Sequence, residues 1–595
     1  MIVSSGSTIP TKPPDSSTPE LTRPRALTYT CVNTCIDEPG RRPSAGAAYS
    51  DKETSLTTRS TLSPQYDVIV VGAGICGIYQ AYKLQQMGVR ATVLERGAGP
   101  GGTWYWNRYP GCRFDSESET YGYSWSKELL AEWDWQEHYA PREETERYLQ
   151  HVIEKFDLGK MMQYGCTVTA ARWNEDERMW TVTLADGGTF TTRFLMTAIG
   201  LLSAPTPPRY PGVADFKGVS FHTYYAPHDP IDWRGKRVAV IGTGSTGVQI
   251  ISAIAADVAH LSVYQRRPNW CAPLHNSPIT PEQMADIKAR YEEIFAKCHS
   301  TPSGFIHDVE PRATLDVPPA EREAFWEKLY NSPGFGVWLG NFKDMLTDPA
   351  ANAEFSKFIA RKIRERIKDP RVADKLVPRD HGFGTRRVPM ETGYYEVYNR
   401  DNVELVDLSE TPIERITAHG ISTSAGEREF DIIVYATGFD AVTGAFDQIH
   451  IVGTDGLTLK QKWANGPVTG YGIAVHGFPN LITLAGPQSG SVATNFPRGI
   501  EEAVDWCTGF LAWLRAAGKT RVEVKPEVEV RWGQHVAEMS ERILFAREKS
   551  WFTGYNSNVE REYVNRPLIY AGGAQRFRET LGREVHQGYP GFSAE

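Results

Sequence analysis

Apolar and polar positions along the chain fall into three patterns. Short β-branched runs ending in glycine, Tyr66-Asp67-Val68-Ile69-Val70-Val71-Gly72 and Arg237-Val238-Ala239-Val240-Ile241-Gly242, have the profile of buried parallel strands and lie about 170 residues apart. A helix is predicted after the first, with Ile78, Ala81, Tyr82 and Leu84 on its apolar face, and then a second strand, Ala91-Thr92-Val93-Leu94-Glu95. Alternation in Thr167-Val168-Thr169-Ala170 and Trp180-Thr181-Val182-Thr183-Leu184, with a turn at Asp186-Gly187-Gly188, predicts an antiparallel meander laid across the parallel strands as a sub-sheet. From residue 278 to about 384 the spacing turns helical. Thr280-Pro281-Glu282-Gln283 is a capping box with proline at the first helical position, and Met284, Ile287, Tyr291 and Ile294 follow it. Strand-like segments return at Val403-Glu404-Leu405-Val406 and Asp431-Ile432-Ile433-Val434-Tyr435-Ala436, so the chain is expected to re-enter both earlier units. Residues 1 to about 63, rich in Ser, Thr and Pro, have no sustained apolar period and cannot offset chain entropy by burial.

Composition narrows the function classes. With 41% hydrophobic and 23% charged residues, wholesale disorder and coiled coil are poor fits to the 595 residues. Lys+Arg number 64 against 72 Asp+Glu, a formal charge of -8, which removes the electrostatic motive for holding a nucleic-acid backbone. No stretch approaches the ~20 apolar residues of a membrane helix, and the N-terminus lacks the basic and apolar regions of a secretion signal. A soluble, non-secreted, cytoplasmic protein is expected. Cys76, Cys112, Cys166, Cys271, Cys298 and Cys507 are scattered, and Cys31 with Cys35 makes only a C-x3-C pair, so neither a disulfide framework nor a metal cluster is indicated.

Gly72-Ala73-Gly74-Ile75-Cys76-Gly77 sits between strand and helix, where glycines permit a tight turn and the close approach of a pyrophosphate to a helix N-terminus. Glu95, at the end of the next strand, is placed to accept hydrogen bonds from ribose hydroxyls. Gly242-Thr243-Gly244-Ser245-Thr246-Gly247 repeats the arrangement, but its next strand ends in Gln265-Arg266-Arg267. Two guanidiniums there attract a 2′-phosphate that a carboxylate would repel, which reads as NADPH. Two dinucleotide folds of opposite preference point to a flavin reduced by NADPH. The expected class is α/β, with two Rossmann-like domains, a mainly helical insertion and an N-terminal extension. The predicted divisions are 1–63 (extension), 64–205 (FAD, first part), 206–270 (NADP, first part), 271–384 (insertion), 385–430 (NADP, second part) and 431–595 (FAD, second part).

Pyridine-nucleotide disulfide reductases share that plan, but they need a redox C-x-x-C or C-x4-C beside the flavin, which this sequence lacks. Gly101-Gly102-Thr103-Trp104-Tyr105-Trp106-Asn107-Arg108-Tyr109-Pro110-Gly111-Cys112-Arg113-Phe114-Asp115 instead matches a signature of type I Baeyer-Villiger monooxygenases, which the chain resembles from about residue 65 onward. The family's second signature, F-x-G-x-x-x-H-x-x-x-W-[PD], is met by Phe216, Gly218, His222 and Pro227, with Ala226 at the tryptophan position. Thr385-Arg386-Arg387, Ala436-Thr437-Gly438-Phe439-Asp440 and Ser550-Trp551-Phe552-Thr553-Gly554-Tyr555-Asn556 match further.

By this resemblance, Glu95, Thr103, Trp104, Asp115, Tyr121, Val168 and Phe496 fall at flavin-contacting positions, and Arg266, Arg267, Arg386 and Trp551 at NADP-contacting ones. Gly102, Arg113 and Gln249 join the cofactor-binding set. The resemblance implies FAD and NADPH as cofactors and a ketone and O2 as substrates. A C4a-peroxyflavin attacks the ketone to form a Criegee intermediate, which rearranges to an ester or lactone; sulfoxidation is an expected side activity. Both stages carry negative charge on oxygen, so a cation that stays charged at working pH is needed, and Arg387 is the candidate, with Asp115 its carboxylate partner. His222 is expected to be a hydrogen-bonded linker residue, and Trp106 a core aromatic. Two other readings stay open: an N- or S-hydroxylating flavin monooxygenase, and a non-catalytic FAD/NADPH-binding redox sensor. Nothing implies nucleic acid, metal or membrane insertion, and the oligomeric state is not legible in the sequence, a monomer being compatible with it.

Overall fold

Strand β1 (Tyr66–Val71) runs through the core with Val68, Ile69 and Val70 fully buried, and turns through Gly72 into helix α1 (Ile75–Gln86). Ile78, Ala81 and Leu84 of α1 are fully buried, while Tyr82 is half-buried and stacks on Trp125 at 4.1 Å. The computed structural model describes residues 63–492 and 494–595. Apart from residue 63, the expected extension, with Cys31 and Cys35, lies outside the described residues.

After β2 (Ala91–Leu94), parallel to β1, come α2 (Arg142–Lys155), β3 (Met162–Gln163), β4 (Val168–Asn174), β5 (Met179–Leu184) and β6 (Thr189–Thr197). β4, β5 and β6 form the expected antiparallel meander, but not as a layer across the parallel strands. β6 pairs in parallel with β1, Tyr66 opposite Thr192 and Val71 opposite Thr197, so all belong to one eight-stranded sheet. The physical reason lies in Phe194-Leu195-Met196, an apolar run buried on both faces, which fits a central strand.

A second sheet of five parallel strands is built from β7 (Val219–His222), β8 (Arg237–Ile241), β9 (His260–Gln265), β10 (Val403–Asp407) and β11 (Ile432–Tyr435), in the order β10-β9-β8-β11-β7. Helix α3 (Ser245–Ile254) follows β8. β11 corrects the expected division at residue 431: that segment lies between β8 and β7, not in the first sheet. Its four buried residues have the same apolar character as β8, so pattern alone did not say which sheet they join. The chain rejoins the first sheet only at β12 (His450–Val452), beside β4, and β13 (Leu481–Thr483), beside β6.

The insertion is helical as expected: α4 (Pro281–Ala289), α5 (Tyr291–Ser300), α6 (Pro319–Tyr330), α7 (Pro349–Arg366) and α8 (Pro370–Leu376). The capping box forms, with Thr280 Oγ1 accepting from the Gln283 N–H at 3.2 Å and Gln283 Oε1 from the Thr280 N–H at 2.8 Å. The spacing that continues to Tyr291 and Ile294 is divided between two helices, which meet at Arg290. Helix α9 (Phe496–Ala516) packs along α1, where the Tyr79 hydroxyl donates to Asp505 at 2.7 Å. No helix among the described residues is long and apolar enough to cross a membrane.

Candidate active site between the two sheets

Each sheet ends in a glycine turn that brings its helix against the strand end. Gly72 has φ +105°, and a Cβ on Gly77 would lie 1.8 Å from the Gly72 carbonyl oxygen, so neither position tolerates a side chain. The second turn repeats this, with Gly242 at φ +113° and a Cβ on Gly247 lying 2.1 Å from Gly242 O. Helices α1 and α3 start from Gly74 and Gly244 with no side-chain cap, leaving their N-terminal N–H groups for an anion. Glu95, 5% exposed, accepts from the Ala73 N–H at 2.8 Å and the Gly97 N–H at 2.7 Å. Each oxygen retains acceptor capacity for a ribose hydroxyl.

A cavity of about 1160 Å³ opens between the two turns, and every sequence-predicted site residue except Gly77 and Gly247 lines it. Those two act behind the wall, by letting the helices approach. On the first-sheet side, Gly102 (φ +55°) abuts Gly74, Thr103 opens a helical turn, and the buried Trp104 donates its Nε1–H to the Tyr121 hydroxyl at 3.1 Å. Tyr121 stacks on Phe114 at 4.0 Å. Val168 begins β4, and Phe496, 37% exposed, begins α9. Trp106 is not the core aromatic expected: it is half-buried in the cavity wall, stacked on Tyr224 at 5.4 Å with the Arg96 guanidinium 4.9 Å from its ring.

Arg387 donates to Asp115 Oδ2 at 3.0 Å and to Val388 O at 2.7 Å, and its guanidinium lies 4.9 Å from the centre of the Phe335 ring. Burial pushes the Asp115 carboxyl above its ordinary range, and Arg387 pulls it back. Both line the cavity, but the Arg387 side chain is a third exposed and that of Asp115 only 5%, so it is the arginine's charge that opens to the cavity. Asn269, on the loop after β9, donates to the Arg387 carbonyl at 3.0 Å.

Arg113 directs its guanidinium to Glu137 at 2.9 Å and Tyr139 O at 3.0 Å. Its carbonyl accepts from Gln249 Nε2 at 3.0 Å, while Gln249 Oε1 accepts from the Tyr109 hydroxyl at 2.9 Å. Gln249 therefore ties α3 to the signature loop of the first sheet.

At the second turn, Ser245 and Thr246 open α3, and Thr243 Oγ1 donates to Arg267 O at 3.2 Å. Arg266 donates to Asn558 Oδ1 at 3.0 Å and Arg267 to the Tyr555 hydroxyl at 3.3 Å. Arg386 donates to Asp380 Oδ2 at 3.2 Å and lies 3.6 Å from Glu548. Trp551 begins the short turn that brings this C-terminal segment to the cavity. Sequence reasoning missed Glu548 and Asn558, which pair across long separations, and Asp380, which pairs with its near neighbour Arg386 and also reaches the distant Arg267; none carries a local pattern, whereas Tyr555 lay inside a quoted motif.

His222 donates from Nε2 to Gly438 O at 3.1 Å and accepts at Nδ1 from the Tyr224 N–H at 3.1 Å. Burial pushes its pKa down to about 4, so the ring is neutral at pH 7 and holds β7 to the loop after β11. Ala226, at the signature's tryptophan position, is buried.

Residues 69–305 match the family model described as pyridine nucleotide-disulphide oxidoreductase. The 2-oxo-Delta(3)-4,5,5-trimethylcyclopentenylacetyl-CoA monooxygenase of Pseudomonas putida is 43% identical over 89% of this chain and 98% of its own length. Acetone monooxygenase (methyl acetate-forming) of Gordonia sp. (strain TY-5) is 40% identical over 89% and 98%. The crystal structure of OTEMO in complex with FAD and NADP superposes with a TM-score of 0.87 at 43% identity, covering 90% of this chain and all of that one.

Proposed function

Because the chain belongs to the Baeyer-Villiger monooxygenases, we propose that its cavity of about 1160 Å³ is the active site, with Arg387 its catalytic cation and Asp115 the residue that holds it. The enzyme contains FAD, takes electrons from NADPH and inserts one oxygen atom beside a ketone carbonyl, giving an ester or lactone. The residues fit both cofactors: each glycine turn leaves uncapped helix N–H groups for a pyrophosphate, and an acid stands beside one turn where arginines stand beside the other.

In this reading FAD lies against the first sheet, on Gly72, Gly74, Glu95, Gly102, Thr103, Trp104, Tyr121, Val168 and Phe496. NADPH lies on the second, at Gly242 to Thr246, with Arg266, Arg267 and Arg386 around the 2′-phosphate and Trp551 closing the side. When bound, the reduced flavin supplies the means of activating O2. The protein supplies fixed charge: negative charge developing on oxygen beside Arg387 meets a preorganised guanidinium that needs no reorganisation in the reaction. Asp115 keeps that guanidinium in place, since a partly buried cation without a carboxylate would be costly. His222 is neutral and engaged at both nitrogens, so it serves as a linker and not as a base.

The observation that carries this reading is the Arg387–Asp115 pair set in one cavity between two glycine turns. A ketone panel with product analysis, alongside NADPH consumption without substrate, tests it. Ester or lactone formed in step with NADPH use supports the reading, and NADPH use with no oxygenated product from any ketone rejects it. We also assign the protein to the cytoplasm, where NADPH is regenerated.

A further inference from the structure

Arg386 and Arg387 are adjacent in the chain, yet each is braced by its own carboxylate. Arg387 has Asp115 on the flavin side, and Arg386 has Asp380 on the nucleotide side. Asp380 also reaches a second arginine, since its Oδ2 lies 3.2 Å from Arg386 and 3.6 Å from Arg267. Both arginines line the cavity, whereas Asp380 stands outside its lining. Its other oxygen is 2.7 Å from Nδ1 of His381, whose side chain is fully buried and whose Nε2 lies 3.4 Å from Asn269 Oδ1.

We infer that Asp380 is a positioning residue for nucleotide selection: braced by His381, it holds Arg267 and Arg386, from distant parts of the chain, aimed together at the 2′-phosphate. The inference rests on the assignment of that phosphate to these arginines. Two guanidiniums converging on one anion repel each other before it arrives, and each is a long side chain whose rotamer freedom must be given up. A carboxylate behind them offsets the repulsion and fixes both forks before binding. Glu548, 3.6 Å from Arg386 alone, cannot bridge the two in this way.

The test uses FAD-loaded enzyme and two probes that differ only by the phosphate in question, adenosine 2′,5′-bisphosphate and 5′-AMP, titrated calorimetrically. Asp380→Asn keeps the side-chain shape and an oxygen for His381 but loses the charge that spans the arginines. The expected result is that the ratio of the two dissociation constants, which measures the 2′-phosphate's contribution, falls by about three- to tenfold. Asp380→Glu, which keeps a carboxylate, should hold the ratio nearer the parental value. A merely structural role would weaken both probes alike and leave the ratio unchanged, which overturns the inference. A ratio that rises in Asp380→Asn also overturns it, since the carboxylate would then be a competitor of the phosphate. If the parental enzyme itself shows no preference for the bisphosphate, the assignment of the arginines fails, and the inference with it.

Discussion

Replacing Arg387 by alanine removes the guanidinium that Asp115 and the Val388 carbonyl hold in the cavity wall. Ester formation should fall by about 10² to 10³, the usual cost of losing one preorganised donor at a developing oxyanion. FAD should stay bound, because the glycine turn and Glu95 lie elsewhere. Arg387→Lys should fail largely too, since an ammonium cannot present one planar fork to Asp115 and to the reacting oxygen together. Product must be measured in both, as NADPH consumption without ester reports only uncoupled oxidation; an alanine variant that still makes ester at close to the parental rate would refute the assigned role. At this scale the sequence was most legible where residues sit inside contiguous motifs, as Asp115 and Arg387 do. Phe335 was illegible because its meaning comes from a partner far along the chain, and Asp380 because its second arginine, Arg267, lies far from it in sequence.

Elements carry their own consequences. α1 can begin where it does only because Gly77 has no Cβ, which would lie 1.8 Å from a backbone oxygen. Gly77→Ala should push the helix off the strand end, costing about 1 to 3 kcal/mol as overpacking does, and the purified variant should show both a lower Tm and less flavin absorbance than the parent. His222, linking β7 to Gly438, makes a pH-dependent element. Its pKa drops from 6.5 to about 4 on folding, so between those values the unfolded chain binds a proton that the folded ring refuses. Stability contributed by the neutral ring is therefore full above about pH 6.5 and lost as pH falls towards 4, by about 3 kcal/mol at most. His222→Asn, whose Oδ1 can still accept from the Tyr224 N–H and which has no proton to gain in this range, should lose less Tm than the parent between pH 7 and pH 5; equal losses would remove His222 as the cause. Strand identity was readable from apolar runs, but strand partnership was not. β11 and the meander show why: a run buried on both faces fits any central position, and only the tertiary fold chooses between sheets.

For the whole molecule, the acid at one turn and the arginines at the other predict a yellow protein that prefers NADPH to NADH. Each charge-assisted contact to the 2′-phosphate contributes about 1.5 to 3 kcal/mol, so kcat/KM should favour NADPH by more than about tenfold. Equal efficiency with both nucleotides would displace the arginines from that role. The chemistry of the two turns was local and therefore visible in sequence, whereas the joining of the two sheets through Tyr109, Gln249 and the Arg113 carbonyl was not. The return of the chain to its first sheet also orders events in time. Leu195 to Thr197 of β6 have β1 on one side and β13 on the other, and β13 begins only at Leu481. Translation therefore delivers all five strands of the second sheet before the first can close. Until then the growing chain carries an open backbone edge on a buried apolar strand, the kind of edge on which nascent chains aggregate or recruit chaperones.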